Sequence, residues 1–389
     1  MKSKLLSALT LLGMLAAMQV QAAMLTPSGR NTSVAVTFDR MSVPAQLPIW
    51  TNENGGYDTN DAPKWGRNTL VCQSRTSNQY GACLTLPVWL EASPSPYPVP
   101  LLFTESSTKQ TLVLNVYLTK RRSLNNVVVA TNLVPMNAFG GAVTPRGDGT
   151  DYSAYLPSSE LSKFPSAGTW SATLKMSLMQ WPVTSCTGNS QNVNVGCTNV
   201  TKMGDWIANM TFKVTDYGNQ QIYLPEFGNA AASVDLGLKT FPGARATTTT
   251  VSGSRSLDMC LYDGNNSDSN RVSLLFQDEG AAAPGRGTGL FSLYRTGADK
   301  TLAQNRLDYA IEVINPLTKA RQVVENGSEI IWSGTNRGVL RRVVLPGQSN
   351  SVLCVPAPMQ LITPAFILSS KTAGRYQGTL RIIYTPTTQ

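Results

Sequence analysis

The chain ends on GRYQGTLRIIYTPTTQ, residues 374–389. From Tyr376 onward the side chains alternate. Tyr376, Gly378, Leu380, Ile382 and Tyr384 fall on one side; Gln377, Thr379, Arg381, Ile383 and Thr385 fall on the other. A period of two is the mark of a β-strand. Almost nothing follows to cover it, and an open strand edge is a pairing site that proteins ordinarily hide. One expectation is a terminal strand whose edge is met by another protein. The other is a last strand sealed inside its own sheet, and periodicity alone does not separate them.

The same alternation recurs upstream. It is seen in SVAVTF (33–38), NTLVCQ (68–73), TLVLNVYL (111–118), NVVVATNL (126–133), WSATLKMSL (170–178) and WIANMTFKV (206–214). SVDLGLK (233–239), RVSLLF (271–276), DYAIEVI (308–314) and GVLRRVVL (338–345) continue it. Turn-rich stretches such as TNENGGYDTND and EGAAAPGRGTG punctuate these runs. Many short strands with such punctuation predict an all-β protein of sandwich type. One short helix is expected over PSSELSKF (157–164), with Pro157 at its start and Pro165 ending it. The strand ending at Val214 stops before TDYGN, so residues 216–218 read as a linker between residues 23–215 and 219–389. These are two domains of ordinary size.

The first residues, MKSKLLSALTLLGMLAAMQVQAAM, read as a secretory signal peptide over 1–22. Lys2 and Lys4 precede a short apolar run, and Val20 and Ala22 fit a cleavage site after Ala22. The net charge of +9 falls to +7 once those two lysines leave. Charged residues are 14% of the chain, well under the usual share. The basic residues are scattered, so no nucleic-acid partner is expected. An even count of six cysteines in an exported chain predicts disulfides. Spacing pairs Cys72 with Cys83, Cys186 with Cys197, and Cys260 with Cys354. The two short loops are worth about 3 kcal/mol each and the long one about 4–5 kcal/mol.

The chain has no histidine. That removes the usual base of serine and cysteine hydrolases and the usual zinc ligand, so neither an enzyme nor a metal or other cofactor is expected. DGNNSDSN (263–270) lacks the Gly and Glu offsets of a calcium loop and reads as a polar turn. GRGTG has no Lys-Ser/Thr pair and is no phosphate loop. Lys120–Arg122 reads as a solvated charge run at a strand end. The proline-rich 92–100 reads as an extended surface connection.

RSLDMCLYDGNNSDSNRVSLLFQDE (255–279), NQQIYLPEF (219–227), SVLCVPAPMQL (351–361) and the terminal segment resemble the minor tip subunits of class 5 fimbriae, the family that includes the CblD-like pilus initiators. RNTLVCQ…GACL (67–84) and YLPSSELSKFPSAGTWSATLK (155–175) extend the resemblance along most of the mature chain. It implies two immunoglobulin-like sandwiches, an adhesin domain and then a pilin domain. The pilin sandwich would be incomplete, completed by the N-terminal donor strand of the adjacent major pilin. Assembly would use a periplasmic chaperone and an outer-membrane usher, ending at the cell surface on a fimbrial tip. Tyr376, Leu380, Ile382 and Tyr384 would then line the groove that takes first the chaperone and then the donor strand. SVAVTF is read as a strand of the first domain rather than as a donor.

The resemblance also implies a host glycan as receptor, held by a basic cluster at the far end of the first domain. Arg67, five residues before Cys72, matches one of its arginines and could hold a carboxylate bidentately. Gln180 and Trp181 stand where further basic residues are expected. Trp181 suits a sugar face as well as a buried site between sheets. Two other readings stay open: a structural initiator without a receptor, and a secreted β-sandwich carbohydrate-active enzyme, which a cleft holding two carboxylates would favour.

Overall fold

The computed structural model describes residues 24–58, 65, 68–87, 96–124, 127–134, 150–180, 200–228, 232–241, 249–279, 283–348 and 350–387. They are almost all β. In the first half one continuous sheet runs in the order Arg30–Asp39, Thr201–Thr215, Gly168–Gln180, Tyr97–Glu105, Thr111–Leu124, Thr150–Pro157, Gln46–Asn54. Asn68–Cys72 adds to Gly168–Gln180, and Val127–Val134 adds to Thr111–Leu124.

Alternation builds the core. Leu114, Val116 and Leu118 point inward from one strand; Trp206, Ala208, Met210, Phe212 and Val214 do so from another. The two ends of the sheet face each other: the Trp50 side-chain N–H on the last strand donates to Thr32 Oγ1 on the first at 3.2 Å, and the Trp50 ring meets the Trp206 indole edge to face at 5.4 Å. Tyr152 meets the same indole at 5.4 Å. Such aromatic pairs add about 0.5–1.5 kcal/mol beyond their burial. SVAVTF lies in Arg30–Asp39, which pairs in parallel with the strand carrying Trp206. It is used inside its own half, as expected. The short helix is one turn, Ser158–Leu161.

The second half packs three sheets around a separate core. Their orders are Gln221–Tyr223, Cys260–Tyr262, Ser351–Pro356, Arg341–Val344; then Lys239–Thr240, Thr250–Leu257, Met359–Ile367, Arg306–Ile314, Phe291–Arg295, Tyr376–Gln377; then Glu329–Ser333, Arg271–Asp278, Leu380–Thr387. The tandem sandwich arrangement is the one that the strand pattern and the resemblance lead one to expect.

Two of the three disulfides expected from spacing are formed, Cys72–Cys83 and Cys260–Cys354, with Cα separations of 5.2 and 5.7 Å. Cys186 and Cys197 lie outside the described residues, as do the signal segment 1–22 and the proposed cut after Ala22.

Between the halves, Asp216 is buried and Tyr217–Asn219 forms a 3-10 turn. The Asp216 carboxylate accepts Arg40 at 2.8 Å and the Asn219 amide at 2.9 Å, and its own N–H donates to Gly264 O at 2.6 Å. Gly264 sits at φ +72, where a Cβ would meet Asp216 O at 2.5 Å. DGNNSDSN is a polar turn: the Asp263 carboxylate accepts the N–H groups of Asn265, Ser267 and Ser269, each at 2.8 Å.

Candidate functional site

The terminal strand Leu380–Thr387 pairs along one side only, antiparallel to Arg271–Asp278 in a register from Leu380↔Asp278 to Thr387↔Arg271. Its other edge has no strand partner among the described residues. Leu380, Ile382 and Tyr384 turn inward and pack against the second core, while Arg381, Ile383 and Thr385 are exposed. Tyr376 is placed apart from them. It lies on the strand Tyr376–Gln377, paired with Phe291–Arg295 in a different sheet, and its hydroxyl lies within hydrogen-bond distance of the carbonyl oxygens of Thr372 and Gln304. The chain changes sheets at Gly378 and Thr379. A Cβ on Gly378 would come within 3.0 Å of Ser292 O, so the crossing needs glycine for close approach.

Beside the open edge lies a groove of ≈ 580 Å³. Its floor is Leu257, Leu293, Tyr309, Met359 and Leu361, and its walls include Leu380, Ile382, Val234 and Leu236. The second wall departs from the sequence reading. SVDLGLK has a strand's alternation, and Val234 and Leu236 do turn inward, yet residues 232–238 join no ladder among the described residues. Only Lys239–Thr240 pairs, with Thr250–Leu257. A strand pattern without a strand partner faces a strand edge without a partner, and an apolar floor lies between them. Rims that join no further ladder among the described residues, with apolar side chains below, are what an inserted β-strand satisfies.

Tyr384 is packed beside Tyr262 and Asp263. Its hydroxyl is buried without a hydrogen-bond partner among the described residues. Burial pushes its phenol far above the ordinary value, with the Asp263 charge and Tyr262 adding to the shift. The neutral phenol is therefore the favoured form in the folded chain. Its contribution is complete below the ordinary phenol value near 10 and is lost as the pH rises beyond it. Tyr384→Phe should leave stability at neutral pH almost unchanged and make the alkaline decline shallower, by up to about 1.4 kcal/mol per pH unit. Urea titrations of both chains between pH 9 and 11.5 check this. Equal alkaline slopes would contradict the buried placement.

In the first half, Gln180 pairs with Asn68 across neighbouring strands, and this is the last pair of that ladder. Arg67 and Trp181, the residues next to them in sequence, lie outside the described residues. Asn68 is the centre of a buried polar network. Its side-chain oxygen accepts Thr150 Oγ1 at 2.7 Å and the Tyr152 hydroxyl at 2.6 Å. Its amide donates to the carbonyls of Trp65 at 2.6 Å and Gly55 at 3.0 Å. Its own carbonyl accepts Lys120 Nζ at 2.8 Å. A Cβ at Gly55 would collide with the Asn68 amide and the Tyr152 ring, so glycine there lets the backbone approach.

Lys120 departs from the reading of residues 120–122 as a solvated charge run. It is 3% exposed. The signal lies in the alternation: counting by twos from Leu114, Val116 and Leu118 places Lys120 on the inward face. Asn68 is equally legible as the polar residue opening an apolar strand.

Residues 19–217 match the first-domain model of CfaE, a CFA/I fimbrial subunit, and residues 220–388 match the second-domain model of the same protein. The chain belongs to the CfaE family of CFA/I fimbrial subunits. The curated CfaE-type CFA/I fimbrial subunit of Escherichia coli is 28% identical over 342 residues, covering 87% of this chain and 84% of that protein. The crystal structure of CfaE, the adhesive subunit of CFA/I fimbria of enterotoxigenic E. coli, superposes with a TM-score of 0.73 at 25% identity. The match covers 94% of this chain and 95% of that one. A chaperone–tip adhesin complex of CFA/I fimbriae biogenesis superposes with a TM-score of 0.66 at 24% identity, covering 94% and 98%.

As a member of the CfaE family, the chain carries two features on separate halves. The open groove is built from the second core. The ladder end at Gln180 and Asn68 belongs to the first, and nothing on the groove's rim comes from it.

Proposed function

We propose that this chain is the tip subunit of a chaperone–usher fimbria. It initiates assembly, takes a donor strand from the adjacent major pilin into the groove of its second half, and presents its first half to a host glycan. In this reading residues 1–22 are cleaved on export, 23–215 form the adhesin domain, 216–218 the connection and 219–389 the pilin domain. The periplasmic chaperone would occupy the groove first, and the outer-membrane usher would exchange it for the donor strand. The chain would end at the cell surface on the fimbrial tip.

The observation that carries this is the pair of edges, Leu380–Thr387 and residues 232–238, that have no strand partner among the described residues and flank one apolar floor. Membership of a fimbrial subunit family supports it, and so does the likeness to CfaE, the adhesive subunit of its own fimbria. The topology of the first half agrees: SVAVTF is tied into its own sheet by a ten-residue parallel ladder from Arg30↔Trp206 to Asp39↔Thr215, so it is not offered as a donor.

Hydrogen exchange of the mature chain tests the groove. Amides of 232–238, and those of 380–387 that do not bond to Arg271–Asp278, should exchange quickly alone and become protected together when a pilin N-terminal peptide binds. Protection of neither segment would sink the reading. A glycan array with wild type beside Arg67→Ala tests the receptor half, where loss of specific binding in the variant is expected. Gln180 in place of a basic residue favours a second reading, an initiator with no receptor. A folded chain that binds no glycan would select it.

A further inference from the structure

The groove does not end at Leu380. It opens into a second cavity of ≈ 780 Å³ that shares Ala232, Val234, Leu293, Gly378 and Thr379 with it. The character of the lining changes across that junction. The groove is mostly apolar, with Arg381 as the one charged residue of its lining, whereas the extension carries Arg295, Lys300 and Arg375 against one acid, Glu279. None of the three cations is ion-paired with a carboxylate of the described residues. Arg295 Nε donates to the neutral Asn305 amide oxygen, and Lys300 lies over the Tyr294 ring at 5.3 Å. Lys300 and Arg375 are exposed.

We infer that this extension is a carboxylate-binding subsite, and that the strand inserted into the groove carries an acidic side chain that docks there and fixes its register. The inference rests on the donor-strand reading and specifies its occupant. Alternating apolar side chains alone fix a strand's register poorly, because a slip of two residues puts the same kind of side chain on the same face. A charge at one end removes that ambiguity.

The direction of the strand follows from the sheets around it. Every ladder of the second half is antiparallel. The cationic end lies where Leu380–Thr387 begins. A strand added antiparallel to it reaches Gly378 with its own C-terminal residues. Side chains on one face recur every second residue. The acid therefore belongs two or four positions after the last apolar side chain seated against Leu380.

The test uses the full mature chain and synthetic peptides of about ten residues, enough to run from Tyr384 past Gln377 at roughly 3.3 Å per residue. Three peptides share one alternating apolar core. One carries Asp at the C-terminal groove-facing position, one carries Lys there, and one carries Asp at the N-terminal end. Affinities are measured by fluorescence anisotropy at low and high salt, with wild type and with a double variant, Lys300→Glu and Arg375→Glu. Both positions are exposed, so the variant keeps its fold.

For wild type, the C-terminal Asp peptide should bind about tenfold tighter than the Lys peptide, with the gap narrowing in high salt. In the double variant the preference should reverse. Equal affinities for the two peptides, a preference unchanged in the double variant, or tightest binding by the N-terminal Asp peptide would each overturn the inference while leaving strand insertion intact. Failure of all three peptides to bind would overturn the donor-strand reading, and the subsite with it.

Discussion

A chain ending at Arg375 is expected to lose the fold of its second half and with it any stable complex with a chaperone, while the first half stays folded. The terminal strand contributes an eight-residue ladder to Arg271–Asp278 and three inward side chains, Leu380, Ile382 and Tyr384. Partial burial of three such side chains is worth about 3–5 kcal/mol. Removing them also bares Val272, Leu274 and Phe276, which sit on the central strand of that three-stranded sheet and are now fully buried. Together this approaches the whole stability of an ordinary domain, about 5–15 kcal/mol. The first half has its own core and its own disulfide, Cys72–Cys83, so its unfolding should persist. Calorimetry should show two transitions for the mature chain and one for the truncated chain, and co-purification with the chaperone should fall to background. A truncated chain that keeps both transitions would mean that the terminal strand is an appendage rather than a wall of the groove.

The strand pattern makes much of this legible, since alternation reports which side chains face a core regardless of what pairs beside them. The inward set of Leu380, Ile382 and Tyr384 is plain, and so are the cysteine pairs whose loops close within one half. Pairing is a different quantity. SVDLGLK alternates like any strand of the molecule, and only the three-dimensional arrangement reveals that residues 232–238 join no ladder among the described residues. The sequence carries the side chains of that strand and not the backbone of its neighbour. Parity groups Tyr376 with the groove, but parity does not register the change of sheet at Gly378. Lys120 misleads for the opposite reason. The charge of three adjacent residues outweighs the periodicity that marks it as buried, and a lysine with a carbonyl to donate to can follow its strand inward.

The buried network around Asn68 leads to the second large effect. Asn68→Leu should destabilise the first half by about 3–5 kcal/mol and leave the second transition where it is. The substitution removes the acceptor of Thr150 Oγ1 and Tyr152 OH and strands the carbonyls of Gly55 and Trp65 without their donor. Each buried polar group left unsatisfied costs about 1–3 kcal/mol. The Tyr152 hydroxyl and Lys120 still reach the Asn68 carbonyl, at 2.9 and 2.8 Å, which limits the loss. Because Asn68 pairs with Gln180, the ladder end that adjoins Arg67 and Trp181 in sequence should lose its definition as well. Glycan binding, where present in wild type, should then fall at least tenfold even below the first transition. Asn68→Asp is the informative companion. It keeps an acceptor for Thr150 and Tyr152, but at neutral pH it sets a carboxylate oxygen against the Gly55 and Trp65 carbonyls and buries a charge, so it should melt no higher than Leu. If both variants melt with wild type, the hydrogen bonds around Asn68 do not hold this end of the sheet.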